Sequence, residues 1–393
     1  MLDLWAQCSD LDPWERALLH ACHLIHGLGA GGAEQVLVEL GRCASNADLR
    51  LSVVSLVDNP DPFHAHLLGE LGVDVRTLSV RSRWDVRAIP RAMRVVDELA
   101  PDILHTHMKH ADVVGAVVAH SRRLPLVSTL HMIEDEPTPV RRLKRAVAAH
   151  ARSQVADRVI AVSQAQREWY LQACPSAADR VVTISNGVTP PAAPDEDARA
   201  ELRASLGVTD DSVLAMSVAI MRPGKGHDDL LAATASLPDE SPVIVALVGD
   251  GVERPRLEKR ARANPRIRRR VRFAGWRTDV AELMHAADFV VHPSHADALP
   301  TTIIQALAAG TPVVATRAGG IPELVTNDLG ALVAPSDPEQ LAAVMSALAQ
   351  APRVRERMGA AAKRRFAERF DGASWARDLV ALYQEVLDER SPH

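Results

Sequence analysis

Cysteine and long apolar segments are scarce in this chain of 393 residues. The four cysteines, at positions 8, 22, 43 and 174, form no CxxC pair and no metal-ligand spacing. That pattern excludes a disulfide framework and a zinc motif, and it indicates reduced thiols. The best apolar run, residues 113–119, falls far short of the roughly 20 residues that a membrane span needs. Because no basic stretch followed by an apolar core opens the sequence, we expect a cytoplasmic protein.

The chain also lacks a large excess of either charge, since it contains 45 basic and 50 acidic residues. The net charge of −5 excludes binding of nucleic acid through overall electrostatics. Hydrophobic residues make up 47% of the chain, which is typical of a globular protein. Only five of the basic residues are lysines, so each of them is worth examining: Lys109, Lys144, Lys225, Lys259 and Lys363.

Short apolar runs alternate with helical patterns in both halves of the chain. This alternation predicts two doubly wound α/β domains, each with a parallel sheet between helices, and a cleft between the domains. A stretch rich in Pro and Asp at 189–198 has no periodicity and indicates a linker. We therefore predict an extension at 1–19, a first domain at 20–188, a second domain at 189–370, and a C-terminal helix at 371–393 that packs back on the first domain.

The strands are predicted from apolar runs bounded by turn residues. In the first half they lie at 18–24, 51–57, 103–107, 126–130, 159–162 and 181–184. In the second half they lie at 213–218, 243–248, 271–274, 289–292 and 313–316. The last stretch, 352–390, is predicted to be helical apart from a break at Asp371 and Gly372.

A glycine-rich turn at 27–32 lies between the first predicted strand and a helical run. Such a turn directs backbone N–H groups at the positive end of a helix, which suits an anion such as phosphate. Gly27, Gly29 and Gly32 also satisfy GxGxxG, and Asp58 closes the next strand where a dinucleotide fold places its ribose carboxylate. A nicotinamide-dependent oxidoreductase is therefore one alternative.

The second half holds two turns of the same kind. Arg222, Lys225 and Gly226 lie just past one strand, and Gly249 and Gly251 follow the next strand. Loops after the strands of an open parallel sheet are where such folds bind ligands. A lysine there can supply a positive charge for a phosphate, although a solvated surface lysine is the simpler alternative.

The segment 293–323 combines a loop carboxylate, a helix start and a glycine pair. Asp297 precedes a helix at which Thr301 and Thr302 are expected as caps. Gly319 and Gly320 follow the next strand and place bare backbone beside the same space. Carboxylates accept hydrogen bonds from hydroxyls and N–H groups donate to phosphates, so this edge predicts a sugar-phosphate site.

In their order and spacing, these motifs resemble the retaining glycosyltransferases of GT-B fold, a large family that includes sucrose- and mannosyl-transferring enzymes. The likeness extends over nearly the whole chain and includes, in the first half, a GGAE loop, a DVVHxH-like strand, a strand that ends in a histidine, and an NGV sequence. The corresponding residues are Gly31–Glu34, Asp102–His107, Ser128–His131 and Asn186–Val188. In the second half the likeness rests on Lys225-Gly226, Gly249-Asp250-Gly251, Asp288, Ser294, Gly310-Thr-Pro-Val-Val and Gly319-Gly320-Ile-Pro-Glu323.

The resemblance implies two Rossmann-like domains that face each other across a cleft, with a nucleotide-diphospho-sugar, UDP-linked by expectation, on the second domain. It implies a hydroxyl acceptor, either a small molecule, a glycan or a lipid-linked sugar, on the first domain. Catalytic roles fall to His131, Lys225 and Asp297. Donor binding falls to Gly31, Gly32, Arg222, Lys225, Gly249, Leu299, Pro300, Thr301, Gln305 and Gly319. The sugar passes with retained configuration, and neither a cofactor nor a metal is expected.

Three positions depart from the family pattern. Ile220 stands where the family has an arginine five residues before the lysine, and Asp297 and Gln305 replace two glutamates. Gln305 keeps an acceptor oxygen without the charge that strengthens a hydrogen bond. These changes leave open a catalytically weak member that acts as a binding or partner subunit. A sugar-nucleotide epimerase of the same two-domain build is a further alternative.

Two features allow further interpretations. His105 and His107 lie on one face of a predicted strand, yet no spacing among the 16 histidines matches a zinc template, so no metal is expected. A basic helix runs from Arg141 to Arg152, and a solvated surface is its ordinary interpretation. The alternative is peripheral contact with anionic lipid at the inner membrane surface, which would suit a lipid-linked acceptor.

Overall fold

A computed structural model describes residues 18–29, 31–58, 63–80, 85, 87–133, 139–209 and 211–391. Of the predicted extension at 1–19, residues 1–17 lie outside the described part of the chain. Within the described ranges, every helix is too short or too polar to cross a membrane.

The first sheet has seven parallel strands in the order β3-β2-β1-β4-β5-β6-β7. Its strands are β1 (Leu19–Ile25), β2 (Leu49–Ser55), β3 (Asp74–Thr77), β4 (Ile103–His107), β5 (Leu126–Thr129), β6 (Arg158–Ala161) and β7 (Val181–Thr183). Its helices are α1 (Gly32–Cys43), α2 (Phe63–Glu70), α3 (Ala88–Leu99), α4 (Lys109–Arg122), α5 (Pro139–Val155) and α6 (Gln164–Ala173). Strand and helix alternate as predicted, because parallel strands need a crossover between them.

The second sheet has six parallel strands in the order β10-β9-β8-β11-β12-β13. Its strands are β8 (Val213–Val218), β9 (Val243–Val248), β10 (Val271–Gly275), β11 (Phe289–His292), β12 (Val313–Thr316) and β13 (Gly330–Val333). The helices are α7 (Glu196–Ser205), α8 (His227–Ser236), α9 (Arg254–Ala263), α10 (Pro265–Arg270), α11 (Val280–Ala286), α12 (Thr301–Ala309), α13 (Ile321–Leu324), α14 (Pro338–Ala349), α15 (Pro352–Arg369) and α16 (Gly372–Arg390).

Both sheets reverse their strand order at one point, between β1 and β4 in the first and between β8 and β11 in the second. Strands beside these points are buried on both faces, as the burial of all five residues of β4 shows. In open α/β sheets the crevice at the carboxyl ends of such strands binds ligands. The fold therefore places the loops after β1, β4, β8 and β11 where a site is expected.

The last helix returns to the first domain. Trp375, Leu379 and Tyr383 of α16 are buried in a hydrophobic cluster with residues of β1, β2 and α1. The chain crosses between domains twice at one place, since Val188 N–H donates to Phe370 O at 3.1 Å and the amide of the first residue of α16 donates to Val188 O at 2.9 Å. Packing of α16 thus ties the end of the chain to the sheet formed by its beginning.

Candidate active site at the carboxyl edges of the two sheets

A lysine and an aspartate, each predicted from a separate motif, meet at the carboxyl ends of β8 and β11. Lys225 Nζ donates a hydrogen bond to Asp297 Oδ2 at 2.7 Å. His292, the last residue of β11, lies 3.0 Å from the same oxygen through Nε2. The ion pair is largely enclosed, because only 14% of the Lys225 side chain and 17% of the Asp297 side chain are exposed. The two motifs therefore form one site.

The charge on Asp297 is stabilised by its neighbours. Burial alone would raise the pKa of Asp297, but the hydrogen bond from His292 and the positive charge of Lys225 outweigh it and hold that pKa well below its usual value. At neutral pH the site therefore contains an ion pair and not a free lysine. A diphosphate that reaches Lys225 has to share it with Asp297.

Glycine loops pack closely around this ion pair. A Cβ on Gly226 would lie 1.8 Å from the carbonyl oxygen of Pro293, and one on Gly319 would lie 1.9 Å from that of Asp297. Gly249, after β9, approaches a neighbouring carbonyl oxygen in the same way, with a distance of 2.2 Å from an added Cβ. Since real Cβ atoms do not approach so closely, side chains at these positions would push the loops apart. Glycine at these positions thus allows the backbone of three predicted loops to lie close together at the carboxyl edge of the second sheet.

The other predicted donor-binding residues of the second domain lie at the start of α12. Leu299 and Pro300 precede the helix, Thr301 is its first residue, Gln305 lies one turn further, and all four are buried. The expectation that Thr301 or Thr302 caps the helix is wrong, because Pro300 occupies the N-cap position and makes no side-chain hydrogen bond there. The first N–H groups of α12 therefore have no side-chain cap, and they can donate to a bound ligand.

Arg222 is the predicted substitute for the arginine that the family has at the position of Ile220. Its side chain is exposed and forms no hydrogen bond with the described residues. Ile220 is partly buried and cannot donate a hydrogen bond from its side chain. A contact between Arg222 and a donor phosphate stays a prediction.

On the first domain, the glycine turn after β1 leads into α1 as predicted. Gly31 is the N-cap residue and Gly32 the first residue of the helix. The Glu34 side chain folds over this turn, since a Cβ on Gly31 would lie 2.1 Å from Glu34 Oε2. Burial raises the pKa of Glu34 to about 7. Near neutral pH the carboxyl group is therefore partly protonated, which limits the repulsion of an anion at this helix start.

His131 follows β5 and is partly exposed. Its Nε2 lies 2.7 Å from His107 Nδ1. Burial lowers the pKa of His131 to about 4, so the ring is neutral at neutral pH. Ile133, two residues on, lies 3.2 Å from the position of a Cβ on Gly319. The loop of His131 therefore faces the second-domain glycine loop, and the role of His131 stays a prediction.

Below His131 lies a histidine cluster that the sequence showed only in part. His105 and His107 come from β4, and His23 from the neighbouring β1 completes the group. One ring nitrogen of each lies within 4.8 Å of the others, and all three side chains are buried. Because ring nitrogens are common metal ligands, this group could hold a cation on distance alone.

Glu323 joins the two domains, a role that the sequence did not indicate. Its carboxylate accepts hydrogen bonds from the backbone amides of Gln164 and Ala165 at 2.9 and 2.8 Å. These amides open α6 of the first domain, where a negative charge is favoured by the helix dipole. Glu323 lies in α13, next to the Gly319 loop. The contact therefore holds the second-domain glycine loop against the first domain.

Not all of the basic stretch from Arg141 to Arg152 is exposed at the surface. Arg152 is largely buried, and it forms an ion pair with Asp112 at 2.6 Å. Its guanidinium group also lies 5.8 Å from the ring centre of Tyr170. The prediction that Arg152 belongs to a basic surface is therefore wrong, because its charge is used inside the first domain.

Comparison with known proteins identifies matching family models and relatives. The model of the family described as glycosyl transferases group 1 matches residues 198–365, and the model of glycosyltransferase family 4 matches residues 30–190. A D-inositol 3-phosphate glycosyltransferase of Saccharomonospora viridis is 31% identical over 318 residues, which are 73% of this chain and 70% of the relative. The enzyme of the same name from Thermobifida fusca is 31% identical over 319 residues, with the same coverage of 73% and 70%.

Solved structures resemble the chain over nearly all of its length. The crystal structure of Anabaena Alr3699/HepE in complex with UDP-glucose has a TM-score of 0.83 and 25% identity, and covers 93% of this chain and 100% of that chain. Sucrose-phosphate synthase from Thermosynechococcus elongatus shares the fold, with a TM-score of 0.78, 22% identity and coverage of 94% and 100%. This chain belongs to the group 1 glycosyltransferases and has their GT-B fold, with two Rossmann-like domains.

Proposed function

We propose that the protein transfers a sugar from a UDP-linked donor to a hydroxyl acceptor, with retained anomeric configuration and without a metal. The observation that supports this most is the Lys225–Asp297 ion pair at the strand-order reversal of the second sheet. Lysine suits the leaving diphosphate and aspartate suits sugar hydroxyls. The HepE structure, bound to UDP-glucose, suggests the nucleotide.

The chemistry needs little more than charge and position. The bond between the anomeric carbon and the phosphate oxygen breaks, and its electron pair stays on the phosphate. The acceptor oxygen bonds to the same face of that carbon, and its proton passes to the leaving phosphate oxygen. The protein stabilises the growing negative charge through Lys225, with the N–H groups at the starts of α12 and α1 as further donors. His131 lies at the edge of the first sheet that faces the sugar.

The acceptor in this proposal binds on the first domain, near the carboxyl ends of β1, β4 and β5. Relatives at about 30% identity are named for D-inositol 3-phosphate, which makes a phosphorylated cyclitol the first acceptor to try. Glycan and lipid-linked acceptors are the other classes. The alternative of a weak member that only binds a donor or a partner rests on Ile220 and Gln305.

Calorimetric titration with UDP, GDP, ADP and dTDP tests the donor, and incubation with UDP-glucose and D-inositol 3-phosphate tests transfer. We expect UDP to bind most tightly and the product to carry the same anomeric configuration as the donor, read by NMR. Addition of EDTA should leave the rate unchanged. Tight binding without turnover of any donor would favour the binding-subunit alternative, and binding of no diphosphate would contradict the proposal.

We also propose that α5 contacts an anionic membrane surface. Three apolar side chains at helical spacing are exposed on this helix: Val140 at 61%, Leu143 at 66% and Val147 at 62%. Arg142 is exposed beside them. An apolar stripe flanked by basic residues is the pattern of helices that lie in a membrane interface.

Sedimentation with vesicles tests this contact. We expect binding to phosphatidylglycerol vesicles but not to phosphatidylcholine vesicles, and a loss of about tenfold or more when Leu143 and Val147 are both replaced by aspartate. Leu71→Asp, at another exposed apolar position of the first domain, is the matched control. Equal binding of the double variant and the control would contradict the proposal.

A further inference from the structure

A continuous chain of hydrogen bonds runs beneath the first-domain side of the site and ends at His131. It involves side chains from β1, β4, β5 and the last helix, α16. We call it the histidine chain. Its contacts are Thr129 Oγ1 to His105 Nε2 at 2.7 Å, His105 Nδ1 to Tyr383 Oη at 2.5 Å, Tyr383 Oη to His23 Nε2 at 3.1 Å, His23 Nδ1 to His107 Nε2 at 2.9 Å, and His107 Nδ1 to His131 Nε2 at 2.7 Å.

All four rings in this chain are neutral at neutral pH. Burial lowers the pKa of His23 to about 3 and that of His131 to about 4, and it lowers the pKa values of His105 and His107 well below the usual range. A neutral imidazole has one N–H donor and one acceptor nitrogen. A ring that accepts a hydrogen bond at one nitrogen must therefore donate one from the other. Once the donor in one of these hydrogen bonds is known, the donors in all the others follow.

Thr129, at the end of the histidine chain opposite His131, determines which group donates in each hydrogen bond. Thr129 is buried, and within the described residues its hydroxyl oxygen contacts only His105 Nε2. If His105 donated to this oxygen, the hydroxyl hydrogen would be buried without an acceptor, which is unfavourable. Thr129 therefore donates to His105. The distances at Tyr383 alone would suit the reverse direction, since the shorter one leads to His105, and the two directions give opposite tautomers of His131.

From this direction the tautomer of His131 follows. Each ring accepts at Nε2 and donates from Nδ1, and Tyr383 accepts from His105 and donates to His23. We propose that the histidine chain holds His131 as the neutral tautomer with its proton on Nδ1, which makes it an N–H donor to the cleft, and that Tyr383 is a positioning residue for it. The value of this donor for sugar transfer rests on the proposed function, but the tautomer itself does not.

A metal ion at the same cluster is the competing arrangement. A ligand nitrogen needs a lone pair directed at the ion, yet all six ring nitrogens of His23, His105 and His107 already have hydrogen-bond partners. The partners are a threonine, a tyrosine and other histidines, so none supplies the negative charge that a buried divalent ion needs. The contacts therefore favour the hydrogen-bonded chain.

Nitrogen-15 NMR of histidine-labelled protein tests the proposal, with the His131 signals identified by their absence in His131→Asn. We expect a single His131 tautomer with the proton on Nδ1. Tyr383→Phe should break the chain between His105 and His23, so that the Nδ1–H form falls toward an even mixture. Thr129→Val should give the same result by removing the terminal donor, which keeps the test valid if the tyrosine variant folds poorly.

A matched control is available, since the only other tyrosine of the protein is Tyr170. Tyr170 is also buried, but its hydroxyl donates to Ala149 O at 2.8 Å, away from the histidine chain. Tyr170→Phe should leave the His131 signals unchanged. A proton on Nε2 in the native protein, signals insensitive to both chain variants, or stoichiometric zinc in the purified protein would each overturn the proposal.

An activity measurement separates this inference from the proposed function. If sugar transfer occurs, Tyr383→Phe should lower kcat about tenfold with little change in KM, whereas Tyr170→Phe should not. If no transfer is found but the tautomer responds as described, the proposed function fails and the inference stands. If transfer is found and the tautomer does not respond, the inference alone fails.

Discussion

Replacement of Lys225 by alanine is expected to lower kcat/KM for the donor by about 10²–10³-fold. Among the described side chains, Lys225 is the only lysine or arginine within hydrogen-bond distance of Asp297. Charge that develops on a leaving diphosphate is stabilised most by a donor that is already in place. Since Asp297 holds Lys225 at 2.7 Å, the ammonium group does not have to be ordered when the donor binds.

Initial rates and calorimetric titration with UDP measure this effect. Lys259→Ala is the matched control, because Lys259 is exposed on α9 and comes from the same small set of lysines. Lys225→Arg is expected to recover only part of the activity, since its planar donor group does not replace a compact ammonium group in an enclosed position. If Lys225→Ala bound UDP and turned over the donor like Lys259→Ala, the assignment of the phosphate site would be wrong.

The sequence was sufficient to predict the buried strands beside the reversal points, but two of the four edge strands were missed. Strands beside the reversal points are apolar throughout, because helices cover both faces, and they were predicted closely. The edge strands β3 and β13 were missed. Asp74–Thr77 has no buried residue, and Gly330–Val333 begins with a glycine and is buried only at its ends. The first strand lacks an apolar run, and the second has only the short run Ala331, Leu332 and Val333 after its glycine.

The loops that carry the candidate site residues were recognisable in the sequence, but the contacts between them were not. Lys225 and Asp297 each lie in a recognisable loop, yet their ion pair joins residues that are 72 positions apart. Tyr383 is a stronger example, since its hydrogen bond to His23 spans 360 positions and depends on the return of α16 to the first domain. A sequence motif describes a local segment, whereas these bonds arise from tertiary packing.

Asp297→Asn is expected to separate binding from transfer. In the proposed function the carboxylate accepts a charge-assisted hydrogen bond from the sugar, worth about 1.5–3 kcal/mol, so its loss should lower kcat about 10- to 100-fold. UDP should bind at least as tightly as to the native protein, because the diphosphate no longer shares Lys225 with Asp297. A fall in kcat with weaker UDP binding would contradict this interpretation of the ion pair.

Asp297→Asn should also lower the stability of the ligand-free protein, because it removes one partner of the ion pair. Without Asp297 the enclosed Lys225 has no counter-charge, so the ligand-free variant should lose about 2–3 kcal/mol of unfolding free energy. Because the folded-state pKa of Asp297 is lowered, its contribution in the native protein is complete above the unfolded value near pH 4 and is lost as the pH falls.

Thermal unfolding with and without UDP measures both effects. UDP should raise the melting temperature of Asp297→Asn more than that of the native protein, because the diphosphate supplies the missing negative charge. Asp229→Asn is the matched control, since Asp229 also contacts a histidine ring, His295 at 2.6 Å, but no lysine. A larger UDP shift in Asp297→Asn than in this control would show that Lys225 is the group that the diphosphate and the carboxylate share.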